Sequence, residues 1–392
     1  MADDFAPPPA ATAKPKAKAK PGPKPLVGWR ADLAAFWSGF SRPSFLAFGV
    51  FCGSAAASLI LCLWFFSEAS IAGWYGRYLP RSGLDAEGFA TREALKAGHE
   101  DVKYPRLFLL GTSTVAQAVG SGKELEKMIK DLTGQEWRVV VLTTPLQSPT
   151  DQFALIDRAL ETQRADSPPV VVAVGFGLQR LRWTPEQTLS YAYNRRLGLR
   201  SDWEDAEVRA LGGAPLPRTG SYLPDNRSFV LVNGSEALLR LVLRRPAVRL
   251  VDQYAAGPRA FPSQEMRDIM GTGIRDNFRN RRAYFAQIDR LATNLATRPN
   301  VDLVLIEEPL SPGLIANQHL GAVHDRMSQD LAEFALSNGI GYWPVSTEAQ
   351  LTSADYFDDL HVLEGNEQDL LRAMLARHMK QLLAVKEEAD GQ

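Results

Sequence analysis

A chain of 392 residues, 45% of them apolar, with a formal net charge of -1 has ample material for a buried core, which excludes a disordered or fibrous protein. Residues 1–30 carry six Lys/Arg against two Asp and leave the remainder at about -5, so the main domain lacks the charge footprint of a nucleic-acid binder. The two cysteines, Cys52 and Cys62, both lie inside one apolar run, so the folded part has neither a disulfide nor thiolate chemistry to draw on.

The tail 1–43 contains APPPAATAKPKAKAKPGPKP, a Pro/Ala/Lys-rich stretch that buries no apolar area and is expected to be a solvated, disordered tail touching anionic lipid. Ser44 to Phe66, SFLAFGVFCGSAAASLILCLWFF, carries no charge. At about 1.5 Å rise per residue it extends roughly 35 Å, enough to cross a hydrocarbon core of about 30 Å. Lys14, Lys16, Lys18, Lys20, Lys24, Arg30 and Arg42 precede it, whereas the twenty residues after it hold only Arg77 and Arg81. The positive-inside rule then places the N-terminus in the cytoplasm and exports the C-terminal domain, with Trp64, Trp74, Tyr75 and Tyr78 at the outer interface. A cleaved signal peptide ending at Ser70-Ile71-Ala72 is the rival reading, although its n-region and apolar run are both long for one.

After a juxtamembrane linker at 67–103, the chain alternates short apolar runs with amphipathic stretches from Tyr104 onward. That alternation is the pattern of a parallel sheet with helices on both faces. Strands are expected at RLFLLG (106–111), WRVVVLTT (137–144), PVVVAVGFG (169–177), VDLVLIEEP (301–309) and Ile340 to Pro344. Helices are expected at 115–134, closed by Gly134, then at Asp151 to Gln163, Ala322 to Ser337 and Asn366 to Ala384. An α/β domain at 104–385 is therefore expected, followed by a short tail at 386–392.

The stretch 178–290 is too long for a simple crossover and reads as a large helical insertion. It holds Trp183, Tyr191, Tyr193, Trp203 and Tyr222, together with Arg195, Arg196, Arg200, Arg244, Arg245, Arg279, Arg281 and Arg282. Either it is a lid or acceptor-binding subdomain, or it is a solvated helical cap whose aromatics form its own core.

Two segments carry residues suited to chemistry. Gly111-Thr112-Ser113-Thr114 follows the first strand and opens a helix, which places the Ser113 hydroxyl at the sheet edge where open parallel sheets hold their ligands. Such a position also offers backbone N–H donors to a developing oxyanion. The plainer alternative is a helix N-cap. Near the C-terminus, Tyr356-Phe357-Asp358-Asp359-Leu360-His361 supplies an Asp three residues before a His, the pairing a serine nucleophile needs for its base and the base's orienting acid. Among the five histidines, His361 alone has that Asp; a plain surface turn is the alternative. No His/Cys/Glu cluster has metal-ligand spacing, and Gly175-Phe176-Gly177 lacks the third glycine of a dinucleotide loop, with Arg180 in its expected place. Neither a metal nor an organic cofactor is expected.

Gly-x-Ser at the end of an early strand, together with Asp-x-x-His leading through a Gly-containing turn into a final helix, resembles the first and last blocks of the SGNH (GDSL-like) hydrolases. Val301 to Pro309, the next helix and Gly339-Ile340-Gly341-Tyr342-Trp343 are similar to that family's late strand-helix-strand. The resemblance implies an SGNH-like, flavodoxin-like fold with Ser113 as nucleophile, His361 as general base and Asp358 as its orienting acid. The block that in the family holds an oxyanion glycine reads Thr143-Thr144-Pro145-Leu146-Gln147-Ser148, and the asparagine block reads Gly175-Phe176-Gly177-Leu178-Gln179. The oxyanion would then depend on the region of Gly111 and the Ser113 N–H, helped by Gln147, Gln179 or an amide of Gly175 or Gly177.

A membrane-tethered SGNH domain with altered middle blocks resembles bacterial exported proteins that move acyl groups onto envelope polymers beside a membrane-bound O-acyltransferase. The resemblance implies an inner-membrane, single-pass esterase or O-acyltransferase acting on an envelope polysaccharide through an acyl-serine, with the bilayer and that acyltransferase as partners and no nucleic acid. The alternative is a catalytically inactive SGNH-fold scaffold or glycan-binding subunit of an envelope machine.

Overall fold

The computed structural model describes residues 45–73, 86–100, 102–194, 197–231, 242–243 and 262–390. The tail 1–43, Ser44, Trp74, Tyr75, Arg77, Tyr78, Arg81, Arg195, Arg196, Arg244 and Arg245 lie outside the described residues. The chain divides into two compact units, Met1–Leu61 and Cys62–Gln392.

Helix α1, Phe45–Phe65, has no charged residue and no polar face. Its stretch Ala47–Phe65 has a mean hydropathy of 2.0, and none of it is buried within the protein. A helix apolar on every side needs an apolar surrounding, which protein or lipid can supply. By length and composition it is the one helix among the described residues fit to cross a membrane.

The expected linker at 67–103 contains two helices that belong to the folded unit. The first, α2 (Glu68–Ala72), is capped by the Ser67 hydroxyl, which accepts from the Ser70 N–H. Its Ile71 is fully buried in the core, so cleavage after Ser70-Ile71-Ala72 would remove a core side chain. The second, α3 (Ala86–His99), buries Ala90, Ala94, Leu95 and Ala97. Its Gly98 lies so close to the Arg158 carbonyl that a Cβ would stand 2.1 Å from that oxygen. Small residues here let two helices touch backbone to backbone, which the sequence disguised as a polar connector.

Strand β1 (Arg106–Leu110) leads to α4 (Ser113–Val119) and α5 (Gly122–Thr133), then β2 (Arg138–Val141), α6 (Pro149–Ala159) and β3 (Val170–Phe176). The single helix expected at 115–134 is thus two helices, because Gly120 takes φ of 62° and breaks the run before Ser121. After β3 come a 3-10 turn (Leu178–Arg182), α7 (Pro185–Asn194), α8 (Asp202–Ala210), α9 (Tyr222–Asp225), α10 (Gln264–Asn277), a second 3-10 turn (Phe278–Asn280) and α11 (Arg281–Ala296). Then follow β4 (Val301–Glu307), α12 (Pro312–Asn317), α13 (Gly321–Ser337), β5 (Gly341–Trp343), α14 (Val345–Ala349) and α15 (Asn366–Asp390). The strands are where the apolar runs place them, trimmed by one to three residues at their ends.

The five strands form one parallel sheet in the order β2-β1-β3-β4-β5. This doubly wound order reverses direction between β1 and β3, and the crevice at the carboxyl ends of those two strands is where such sheets bind ligands. Alternate strand residues feed two cores. Phe108, Leu110, Val172, Val174 and Leu305 join one with residues of α3, α6, α11 and α13, while Leu107, Leu109, Val171, Ala173 and Ile306 join the other with α4, α5 and α15. Burial on both faces explains why the strands read as unbroken apolar runs.

The insertion is helical in its described residues, and α11 is its return crossover. Ile288, Leu291 and Leu295 of α11 pack in the core, so that helix continues past the expected end of the insertion at 290. Trp203 and Tyr222 pack against the same core, and Arg290 makes two bonds to the buried Glu207 at 2.6 and 2.7 Å. For these two aromatics the structure gives a packing role.

Candidate active site

The chain leaves β1 through Gly111, whose φ of 156° is unfavourable for an L side chain. A Cβ there would lie 2.4 Å from Val115 Cγ2. Thr112 then caps α4, its hydroxyl accepting from the Thr114 N–H, and Ser113 is the first residue of the helix. The carboxyl end of a central strand at the topological switch point therefore presents a half-buried serine hydroxyl.

The Asp-x-x-His segment folds as a tight hairpin. Tyr356 bridges Val362, the Phe357 N–H donates to the His361 carbonyl at 2.7 Å, and the Leu363 N–H donates to Asp355 O at 2.8 Å. Asp358 Oδ1 accepts from both the Leu360 and the His361 backbone N–H at 2.7 Å, closing the corner on a side chain. Helix α15 fixes the hairpin to α4: Gln117 Nε2 donates to Val362 O, Gln368 Nε2 to Gln117 O and Arg372 Nη1 to Val119 O.

These two segments bring the three expected residues together. Ser113 Oγ lies 2.8 Å from His361 Nε2, and Asp358 Oδ2 and Oδ1 lie 2.8 and 3.1 Å from His361 Nδ1. His361 is buried, while Ser113 and Asp358 keep partial access to solvent. Burial raises the Asp358 pKa, but the bond to His361, that ring's charge and the two backbone N–H donors outweigh it and leave the carboxyl below its ordinary value. An ionised Asp358 holds Nδ1 protonated and leaves Nε2 free to accept the Ser113 proton.

Of the helper residues expected at the oxyanion, the two glutamines are engaged elsewhere. Gln147 is fully buried and its Nε2 donates to Leu142 O at 2.6 Å. Gln179 Nε2 donates to Glu308 Oε2 at 2.5 Å. Gly111 and Gly175 are spacers: a Cβ on Gly175 would stand 2.3 Å from Val115 Cγ2 and 2.7 Å from Glu308 Oε1. Among the described residues, the Ser113 and Gly177 N–H groups donate to no protein acceptor.

The 143–148 block makes a tight turn without a glycine. The Gln147 N–H closes a turn onto Thr144 O, with Pro145 and Leu146 at its corner, and Leu146 takes φ of 54°. A positive φ after a proline is the requirement of a type II turn, normally met by glycine. The Leu146 side chain is 46% exposed, and among the described residues its N–H also lacks a protein acceptor.

Sequence reasoning missed Glu308. It lies just beyond β4, is fully buried and pairs with the equally buried Arg180 at 3.1 Å. The sign of it was a second acid at the end of an apolar strand, Glu307-Glu308-Pro309. Asp359, next to Asp358, was also missed; it is 1% exposed and receives two bonds from Arg267 of α10, at 2.6 and 3.1 Å. No cluster of three or more His, Cys, Asp or Glu suited to a metal occurs among the described residues.

No family model matches this chain and no curated protein matches it.

Proposed function

We propose that this protein is a membrane-anchored, extracytoplasmic serine esterase or O-acyltransferase of the SGNH type, acting on acyl groups of an envelope polysaccharide. The observation that carries the reading is the hydrogen-bonded line Ser113 Oγ, His361 Nε2, His361 Nδ1, Asp358 Oδ2, with 2.8 Å at both junctions. Serine, base and orienting acid within these distances at the switch point of a parallel sheet are the parts of a nucleophilic acyl-transfer site.

In the proposed reaction, Ser113 Oγ bonds to the acyl carbonyl carbon while its proton passes to His361 Nε2. The unengaged N–H groups of Ser113, Gly177 and Leu146 are the candidate donors for the oxyanion that forms. Collapse breaks the bond to the leaving oxygen, which takes the proton from His361 and departs as an alcohol, leaving acyl-Ser113. A hydroxyl of the glycan, or water, then adds to the acyl carbon with His361 again taking the proton. Expulsion of Ser113 Oγ, reprotonated by His361, completes transfer or hydrolysis. Asp358 stabilises the imidazolium throughout.

Anchorage by α1 with the Lys-rich tail in the cytoplasm would hold this site on the far face of the inner membrane, beside a partner that carries acyl groups across. Labelling by a fluorophosphonate probe tests the chemistry: the full-length protein is expected to be labelled and its Ser113→Ala variant not. Loss of glycan acylation in cells carrying Ser113→Ala tests the substrate. Full complementation by that variant would reject the enzyme and leave an inactive scaffold.

A further inference from the structure

The loops that follow four strands meet on one buried ion pair. Glu308, after β4, places Oε1 3.4 Å from the Thr112 N–H and 3.5 Å from Thr112 Oγ1, at the residue directly before Ser113. Its Oε2 accepts from Gln179, after β3. Arg180, also after β3, donates through Nε to Glu308 Oε1 at 3.2 Å and through Nη1 to the Gln147 carbonyl at 2.5 Å, in the loop after β2. That loop returns to the first, since the Gln147 N–H bonds Thr144 O and the Thr144 N–H bonds Gly111 O at 3.1 Å. A closed ring of contacts thus joins Gly111-Thr112, Thr144-Gln147, Gln179-Arg180 and Glu308 around the base of the nucleophile turn.

A fold that needed only stability would gain little from this arrangement. Burying both charges carries a large desolvation cost, and apolar replacements of such pairs are often neutral or stabilising. The surrounding sequence is nevertheless shaped to admit the pair: both Gly111 and Gly175 lack a Cβ where one would press on Glu308 Oε1, at 3.2 and 2.7 Å. Arginine suits the role because its planar fork reaches a carboxylate and a carbonyl in fixed directions, which a lysine ammonium does not.

We propose that Arg180 and Glu308 are positioning residues for acyl transfer, holding the Thr112-Ser113 turn and the Leu146 turn in register so that nucleophile and amide donors face one carbonyl. The inference rests on the reading of Ser113 as nucleophile. Neither side chain touches the reacting atoms; both act through the backbone they hold.

The test uses the full-length, detergent-solubilised protein, a fluorophosphonate probe and two variants. Arg180→Met/Glu308→Gln removes both charges and leaves no buried ion unpaired; Arg180→Lys keeps the charge balance but not the fork. For each, the limiting labelling rate constant, the probe concentration at half-maximal rate and the melting profile are measured. The limiting rate is expected to fall at least about 100-fold in the double variant and about 10-fold in Arg180→Lys, as displacements of about 1 Å do. The half-saturating concentration should stay within threefold. A wild-type limiting rate in either variant that keeps the wild-type melting profile would overturn the proposal, since the pair would then serve the fold alone. Absence of labelling at Ser113 in the unaltered protein would instead reject the nucleophile reading.

Discussion

On the proposed reading, replacing Asp358 by Asn should stop acyl transfer while leaving the hairpin folded. Asp358 Oδ1 accepts from the Leu360 and His361 N–H groups, both at 2.7 Å, while Oδ2 faces His361 Nδ1 at 2.8 Å. In the Asp358→Asn variant the amide oxygen must take the Oδ1 position, because an NH2 there would confront two donors. The NH2 therefore faces Nδ1 and donates to it. Nδ1 becomes the acceptor, the ring proton moves to Nε2, and Nε2 now points a hydrogen at Ser113 Oγ across 2.8 Å. The base is left in the wrong tautomer and its imidazolium loses a carboxylate. The same change in a serine protease costs about 10⁴ in rate, equivalent to about 5.4 kcal/mol of barrier. Because both backbone bonds survive, the stability loss should be about 1 kcal/mol. Asp358→Ala loses those bonds as well and should melt lower than Asp358→Asn. Fluorophosphonate labelling rates with parallel thermal melts check both. An Asp358→Asn protein labelled within about tenfold of wild type would refute the argument, because tautomer control would then not govern the step.

Further outcomes follow from neighbouring residues. Leu146→Gly should stabilise the protein by up to about 1 kcal/mol, by relieving a positive φ at a half-exposed side chain, without slowing labelling, since only its backbone serves; a denaturant melt and a labelling rate decide. Arg267→Ala strips the buried Asp359 of its bidentate partner and should lower stability by about 3 kcal/mol, and Arg267→Ala/Asp359→Asn should recover most of it in calorimetry. The depressed Asp358 pKa gives its own acid signature. The stability it confers is complete above the ordinary carboxyl value of 3.8 and fades as pH falls through the lower folded value. Below pH 3.8 the melting temperature of the wild type should therefore fall more steeply than that of Asp358→Asn.

Much of the architecture was legible because its determinants are local. Apolar runs such as Val170–Phe176 announce strands buried on both faces, and Gly111-Thr112-Ser113 and Asp358-x-x-His361 announce their turns through residues that form them. The break at Gly120 was harder to see, because an isolated glycine inside a helical pattern also occurs without one. Helix α3 resembles a linker in sequence because its core face, Leu95 apart, is mostly alanine and glycine, residues that pack closely but score weakly as apolar. Arg267 and Asp359, or Arg180 and Glu308, meet only after the sheet brings them together, and no spacing rule joins positions 92 or 128 apart in sequence.

The oxyanion region shows the same divide from the other side. By its letters, the 143–148 block lacks a glycine and leaves the site short of a donor. By its conformation, Leu146 adopts φ of 54°, and on the proposed reading its N–H is a candidate donor in that glycine's place. What holds a leucine in that region is tertiary: the Gln147 carbonyl takes a hydrogen bond from Arg180, itself held by Glu308. An αL leucine costs roughly 1–2 kcal/mol, a sum one charge-assisted hydrogen bond at the adjoining carbonyl can match. On the proposed reading the buried pair and the unusual backbone act together, and Leu146 is legible as a donor only through the arginine bonded to the next carbonyl.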